Sequence, residues 1–252
     1  MRNREFKQEV NGRTILGVTI RDLSRDKAIS SIDDAFALGK RVNVGFANAQ
    51  TLNVAYSNSD LRSALSRFLV LNDGLGTDIA SRIKFGRPFS ENLNGTDFVP
   101  DYLSRTKHSL RIYLIGTAYR VVERSAQVLA RSYPSHIIVG WRDGFFLGPQ
   151  DIEQTCCDVR AARADCVLVG MGNPLQELWI DEHGHKTGAN LFFAVGALFD
   201  FQAGKVRRAP LWLRKLRFEW VFRLLQEPLR LARRYLIGNF VFLGRVLADA
   251  RR

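Results

Sequence analysis

The chain has 252 residues, 46% hydrophobic and 25% charged, with a formal net charge of +12. That is the profile of a globular protein with one substantial core, and it excludes a disordered or collagen-like chain. The apolar runs fall far short of the ~18 residues that cross a bilayer, and the opening MRNREFKQEVNGR lacks the apolar centre of a signal peptide, so a cytoplasmic protein, at most peripheral to a membrane, is expected.

In chain order, residues 14–20 alternate as a strand does, and 24–38 read as a helix with Ser24 as N-cap. Residues 41–47 are strand-like, 49–56 and 59–67 helical, and 68–71 form a short apolar strand that ends in Asn72-Asp73-Gly74. Helices follow at 77–85 and 96–105, the second begun or capped near Asp97. From there the period is regular: strands at 110–115, 135–141, 166–169 and 189–195 alternate with helices at 118–132, 150–164 and 174–186. Such alternation predicts βαβ units and an α/β fold with a mainly parallel sheet flanked by helices.

Ligands of open parallel sheets bind at the carboxyl ends of the strands. Short polar or Gly-rich segments follow these strands: Asn48-Ala49-Gln50, Asn72 to Gly76, Gly116-Thr117, Trp141 to Gly144, Gly170 to Pro174 and Gly196-Ala197. Their convergence on one rim predicts a single site built from distant sequence. Gly170-Met171-Gly172 suits a close approach to phosphate before a helix N-terminus, but Leu175 stands where a dinucleotide fingerprint needs its third glycine. A plain strand-to-helix turn explains it equally well. Asp73 suits a general base and also suits an ordinary Asp-Gly turn. Cys156, Cys157 and Cys166 have no metal-type spacing and read as reduced thiols, while His183-Gly184-His185 reads as a turn after a helix.

The charge sits at the end. Residues 205–252 carry thirteen Lys/Arg against three Asp/Glu, a net +10 of the chain's +12. This divides the chain into a near-neutral body, 1–204, and a basic amphipathic helical appendage, 205–252. A helix from Pro228 to about Ala250 would gather Arg230, Arg233, Arg234, Arg245, Arg251 and Arg252 on one face, suited to lipid phosphates. The alternatives are a helix packed on its own body with a solvated basic face, or a grip on nucleic acid. No nucleic-acid motif appears, and large apolar residues are interleaved with the charge, so nucleic acid is not expected as a partner.

Four blocks carry a resemblance: FANAQTLNVA (46–55), LNDGLGTDIASRIKFG with ENLNGTDF (71–98), VLVGMGNPLQELWI (167–180) and VGALFDFQAGKVRRAPLWLRKLRFEWVFRLLQEPLRLARRY (195–235). Together they resemble the WecG/TagA/CpsF family of bacterial glycosyltransferases over nearly the whole chain. The resemblance implies a Rossmann-like domain with a C-terminal appendage at the cytoplasmic membrane face. It implies inverting transfer of a hexosyl group from a UDP-sugar to a polyprenyl-diphosphate-linked saccharide, without metal or cofactor. The absence of any Asp-x-Asp agrees. Asp73 would be the general base. Asn48 and Gln176 would bind sugar or acceptor, Asp200 would stand near the nucleotide, and Arg223, Arg230 and Arg233 would hold diphosphate oxygens. Self-association is compatible with the resemblance. Phe46 and Asn92 stand where many members have Thr and Arg. The FANAQ and GNPLQE spellings look like the exopolysaccharide branch, which implies glucose as the transferred sugar, with N-acetylmannosamine as the alternative. A non-catalytic membrane-surface scaffold is the remaining reading.

Overall fold

The structure, a computed structural model, describes residues 12–210, 213, 219–226, 228–232 and 236–251. Eight strands form one sheet. They are β1 (Gly12–Ile15), β2 (Val18–Arg21), β3 (Val42–Ala47), β4 (Leu69–Asn72), β5 (Arg111–Gly116), β6 (Ile137–Arg142), β7 (Cys166–Gly170) and β8 (Leu191–Ala194). Their order is β1-β2-β4-β3-β8-β7-β5-β6. Every neighbouring pair is parallel except β1 and β2. The central strands are buried on both faces, which is why β4 and β7 read as continuous apolar runs instead of alternating ones.

The helices cover the two faces. Those of the body are α1 (Arg25–Ala37), α2 (Ala49–Ser57), α3 (Ser59–Leu65), α4 (Leu75–Phe85), α5 (Gly95–Arg105), α6 (Tyr119–Ser132), α7 (Pro149–Ala161), α8 (Leu175–His183) and α9 (Leu198–Gln202). On one face Ile32, Tyr102, Val122 and Phe199, from α1, α5, α6 and α9, pack against Val44, Leu71, Leu168 and Phe193 of the strands. On the other, Leu52, Leu61, Ala80, Val159 and Trp179, from α2, α3, α4, α7 and α8, pack against Ala47, Val70 and Val167. The α/β class expected from the alternation is therefore the architecture observed. Ser24 caps α1, its side chain accepting from the Lys27 N–H, and Gly184–Lys186 make a 3₁₀ turn after α8, both as expected.

Two elements differ from the sequence reading. Residues 14–20 are a hairpin: β1 and β2 pair antiparallel through a tight turn in which Leu16 (φ 49) and Gly17 (φ 80) both lie in the left-handed region. A turn of that kind matches strand twist but wants Gly, Asn or Asp at both places, so a leucine there hides it. Of the segment read as one helix from Pro228, the described residues are helical at α11 (Pro228–Ala232) and α12 (Gly238–Ala250), which follow α10 (Glu219–Gln226), while residues 233–235 lie outside the described residues. α12 lies back on the body. Phe242 and Val246 are buried in the same cluster as Leu52 and Ala80, Asp249 pairs with Lys84 at 2.7 Å, and Arg245 donates to the Asn53 carbonyl at 2.9 Å. Arg245 thus faces α2, with its guanidinium 4.5 Å from the Tyr56 ring centroid, and not an outward basic stripe. Among the described residues, no helix is long and apolar enough to cross a membrane.

Candidate active site

All strands from β2 to β8 run parallel, so the segments after β3 to β8 share one rim. That rim is divided in two. Its first half is a cleft of about 510 Å³ beyond β3 and β4. The floor is Asp73 and Gly74, the starts of α2, α4 and α5 line it, and Trp220 with Asn239, Phe240, Phe242 and Leu243 of α12 complete its walls.

Asn48 organises the floor. It is the N-cap of α2: its Oδ1 accepts from the backbone N–H groups of Gln50 and Thr51, both at 3.1 Å. Capping satisfies helix donors that have no partner in the helix. It also fixes which way the amide points, so Nδ2 is directed at Asp73, whose Oδ2 it meets at 3.2 Å. The Asp73 backbone is held as well, its N–H donating to the Ala47 carbonyl at 2.8 Å. Gly74 follows at φ 92, a conformation open to glycine and strained for other residues. Its N–H donates to Asn92 Oδ1 at 2.9 Å. The carboxylate of Asp73 is thereby placed by an asparagine on either side of its turn. Gly76 lets the two helix starts approach, since a Cβ there would lie 3.0 Å from the Ala49 Cβ.

Three helices of nine or more residues, α2, α4 and α5, begin at this cleft. Each N-terminus carries partial positive charge, so their convergence favours an anionic ligand. α5 is closed by a reciprocal cap in which Asn94 Oδ1 accepts from the Asp97 N–H and its Nδ2 donates to Asp97 Oδ2. Asp97 also pairs with Arg208 at 2.8 Å, which ties the segment after α9 to the cleft mouth. Arg25, at the start of α1, contributes a guanidinium held by Glu91 and Asp101.

The second half of the rim lies beyond β5 to β8. Its loops are knitted together: the Thr117 N–H donates to the Gly170 carbonyl at 3.1 Å, and the Gly144 N–H to the Thr117 carbonyl at 3.0 Å. Gln176 is only 4% exposed. Its Oε1 accepts from the Gly172 and Gly196 N–H groups, and its Nε2 donates to Glu177. Glu177 is buried too, and burial pushes its carboxyl above the ordinary carboxylate range despite hydrogen bonds from Gln176 and Asn173. Asp200 accepts from the Thr117 hydroxyl at 3.3 Å and pairs with Lys205 at 3.3 Å.

Of the residues singled out from sequence, Asn48 and Asp73 are brought into direct contact in the cleft. Gln176 and Asp200 belong to the knitted half and are absent from the cleft lining. Arg233 and the side chains of Arg223 and Arg230 lie outside the described residues. Phe46 turns into the core against Phe98 and so does not face the cleft. Asn92 was visible only as a departure from a pattern; its hold on the Gly74 amide has no sequence signal, because it joins residues 18 positions apart. Arg25, Trp220 and the α12 wall were equally hidden, since each reaches the cleft from far along the chain.

An open parallel sheet with a carboxylate held at its strand ends, in a cleft suited to anions, defines an α/β domain of the ligand-binding, doubly wound class. Residues 13–252 match the profile described as "Glycosyl transferase WecG/TagA/CpsF family", and the chain belongs to that family. Among its relatives, a protein of Bacillus subtilis strain 168 is 29% identical over 199 residues, covering 78% of this chain and 76% of its own length. One of Staphylococcus aureus strain MW2 is 26% identical over 243 residues, covering 94% and 92%. One of Bacillus spizizenii is 28% identical over 173 residues, covering 68% and 66%. All three are named N-acetylglucosaminyldiphosphoundecaprenol N-acetyl-beta-D-mannosaminyltransferase.

Proposed function

We propose that this glycosyltransferase moves an N-acetylmannosaminyl group from a UDP-linked donor to a saccharide carried on a polyprenyl diphosphate, at a membrane surface. The observation that carries the reading is the Asn48–Asp73 pair at the floor of a cleft onto which three helix N-termini converge. The relatives' names favour N-acetylmannosamine over the glucose that the FANAQ and GNPLQE spellings suggested. In this reading the acceptor hydroxyl oxygen attacks the anomeric carbon as the bond from that carbon to the UDP oxygen breaks. Asp73 takes the hydroxyl proton, UDP leaves with the bonding electrons, and the anomeric configuration inverts. The helix N-termini and Arg25 favour the diphosphate groups, and Arg223, Arg230 and Arg233 complete their binding. Gln176 acts by fixing the Gly172 and Gly196 loops, and Asp200 by fixing Thr117, on the donor side.

The test is transfer of labelled sugar from UDP-N-acetylmannosamine, and separately UDP-glucose, to N-acetylglucosaminyl-diphosphoryl prenol. Wild type and Asp73→Asn are compared with EDTA present. Transfer from the first donor that falls at least a hundredfold in Asp73→Asn is expected. Turnover of UDP-glucose alone, transfer abolished by EDTA, or an unimpaired variant would each refute part of the proposal.

A further inference from the structure

The cleft is not uniformly polar. Besides Asn48, Asp73 and Asn92, its lining includes four apolar side chains of α4 and α12: Leu75, Ile79, Phe240 and Leu243. Three of these are also open to solvent: Ile79 is 40% exposed, Phe240 79% and Leu243 38%. The apolar surface does not stop at the cleft mouth. Leu247, 44% exposed, follows Leu243 by one turn, and residues spaced three and four apart share a helix face. Phe240 to Leu247 thus forms a ridge roughly 10 Å long at 1.5 Å per residue.

We infer that this ridge and Ile79 seat the isoprenoid tail of the acceptor, leading it out of the cleft while its diphosphate stays at the helix N-termini. The inference rests on the acceptor class proposed above. Continuity is the main ground: Phe240 and Leu243 belong to the cleft wall and to the exposed ridge at once, so one ligand touching Asp73 with its polar end meets the ridge with its other end. The polarity of the cleft is the second ground. The lining combines anion-favouring helix starts with apolar side chains, which matches an amphiphile with an anionic head. The charges of α12 are the third. Its two charged side chains, Arg245 and Asp249, are held by Asn53 and by Lys84, so neither flanks the ridge as it would on a helix lying flat among lipid headgroups.

The test is fluorescence titration with a dansylated geranylgeranyl diphosphate that carries no sugar, below its aggregation concentration, using the full chain. Phe240→Ser with Leu243→Gln should weaken binding on the order of tenfold, and Leu247→Gln alone about threefold. Leu38→Gln, at an exposed apolar residue after α1, should bind as wild type does. Both Phe240 and Leu243 are solvent-exposed, so matched melting curves are expected and are checked alongside. Unchanged probe affinity in the double variant would overturn the inference. So would a double variant that loses binding to acceptor-free anionic vesicles, or loses self-association in sedimentation, while keeping its probe affinity. The probe needs no transfer step. A wild type that binds it with the expected losses yet transfers no sugar would sink the transferase reading and leave the tail site standing.

Discussion

Asn48 has two separable tasks, and substitution can part them. Its Oδ1 caps α2 through two backbone N–H groups at 3.1 Å, while its Nδ2 reaches Asp73 at 3.2 Å. Serine caps about as well as asparagine, but its hydroxyl lies one bond short of the amide nitrogen, so Asn48→Ser keeps the cap and loses the tether. Asn48→Ala loses both. A lost cap is worth about 1 kcal/mol, which in a domain of this size lowers Tm by about 2–4 °C. A hydrogen bond to a charged group is worth about 1.5–3 kcal/mol. If that bond sets the carboxylate's aim in the transition state, its loss lowers kcat roughly ten- to 150-fold at 1.36 kcal/mol per decade. The expected pattern is therefore a split. Asn48→Ala melts about 2–4 °C lower and Asn48→Ser within about 1 °C of wild type, yet both lose kcat to a similar extent. Single-turnover transfer and calorimetry measure the two quantities. Wild-type kcat in Asn48→Ser would refute the orienting role, as would rates that simply follow Tm across the pair.

Three further outcomes are expected. Asn92→Ala removes the acceptor that holds the Gly74 N–H at 2.9 Å and should lower kcat more than it raises donor KM, while Asn92→Asp, which keeps an acceptor oxygen, should restore most of the rate. Burial raises the Glu177 carboxyl pKa, so between the unfolded and the raised folded value the folded state binds more protons than the unfolded chain. Stability should then fall as pH rises from about 4.3 through the raised folded value, and Glu177→Gln should flatten that slope in a Tm-against-pH series. Arg245→Ala loses its bonds to Asn53 and Ser57 and its place over the Tyr56 ring, about 1–2 kcal/mol together, and should speed proteolytic cleavage within α12.

The elements whose signals are local were legible in sequence. Ser24 caps α1 as its sequence context predicts, and the buried parallel strands announce themselves as apolar runs, whereas α5 is capped by Asn94 and not by Asp97, and the capping role of Asn48 shows only in the structure. The rim followed from topology alone, because parallel strands put their carboxyl ends together. What did not follow was which part of the rim encloses a cleft. That depends on α12 returning across nearly 200 positions to α2, a contact fixed by Asn53 with Gly238 and Arg245. Gln176 has surroundings that the sequence does not show. A polar residue in the first turn of a helix after a glycine loop suggests a ligand contact, yet its amide is buried and holds two backbone N–H groups of neighbouring loops. Periodicity also misplaced Arg245, which falls on a basic stripe by angle but faces a helix of the body in three dimensions.

The return of α12 changes what removal of residues 205–252 would test. Treated as a separable basic appendage, that segment should come away leaving an intact body that no longer binds membranes. Yet Phe242 and Val246 are buried with Leu52, Ala55 and Ala80, and Asp249 receives the Leu16 N–H as well as Lys84. Losing the burial of two such side chains removes about 3–6 kcal/mol, a large share of the 5–15 kcal/mol that typically holds a domain together. It also strips one wall from the cleft that contains Asp73. A chain ending at residue 204 should therefore melt well below wild type and bind a hydrophobic dye, and its inactivity would say nothing about membranes. A truncated body that melts within about 2 °C of the full chain would show that α12 is a dispensable cover. Substitutions on the exposed ridge, which leave Phe242 and Val246 in place, separate the two roles that truncation removes together.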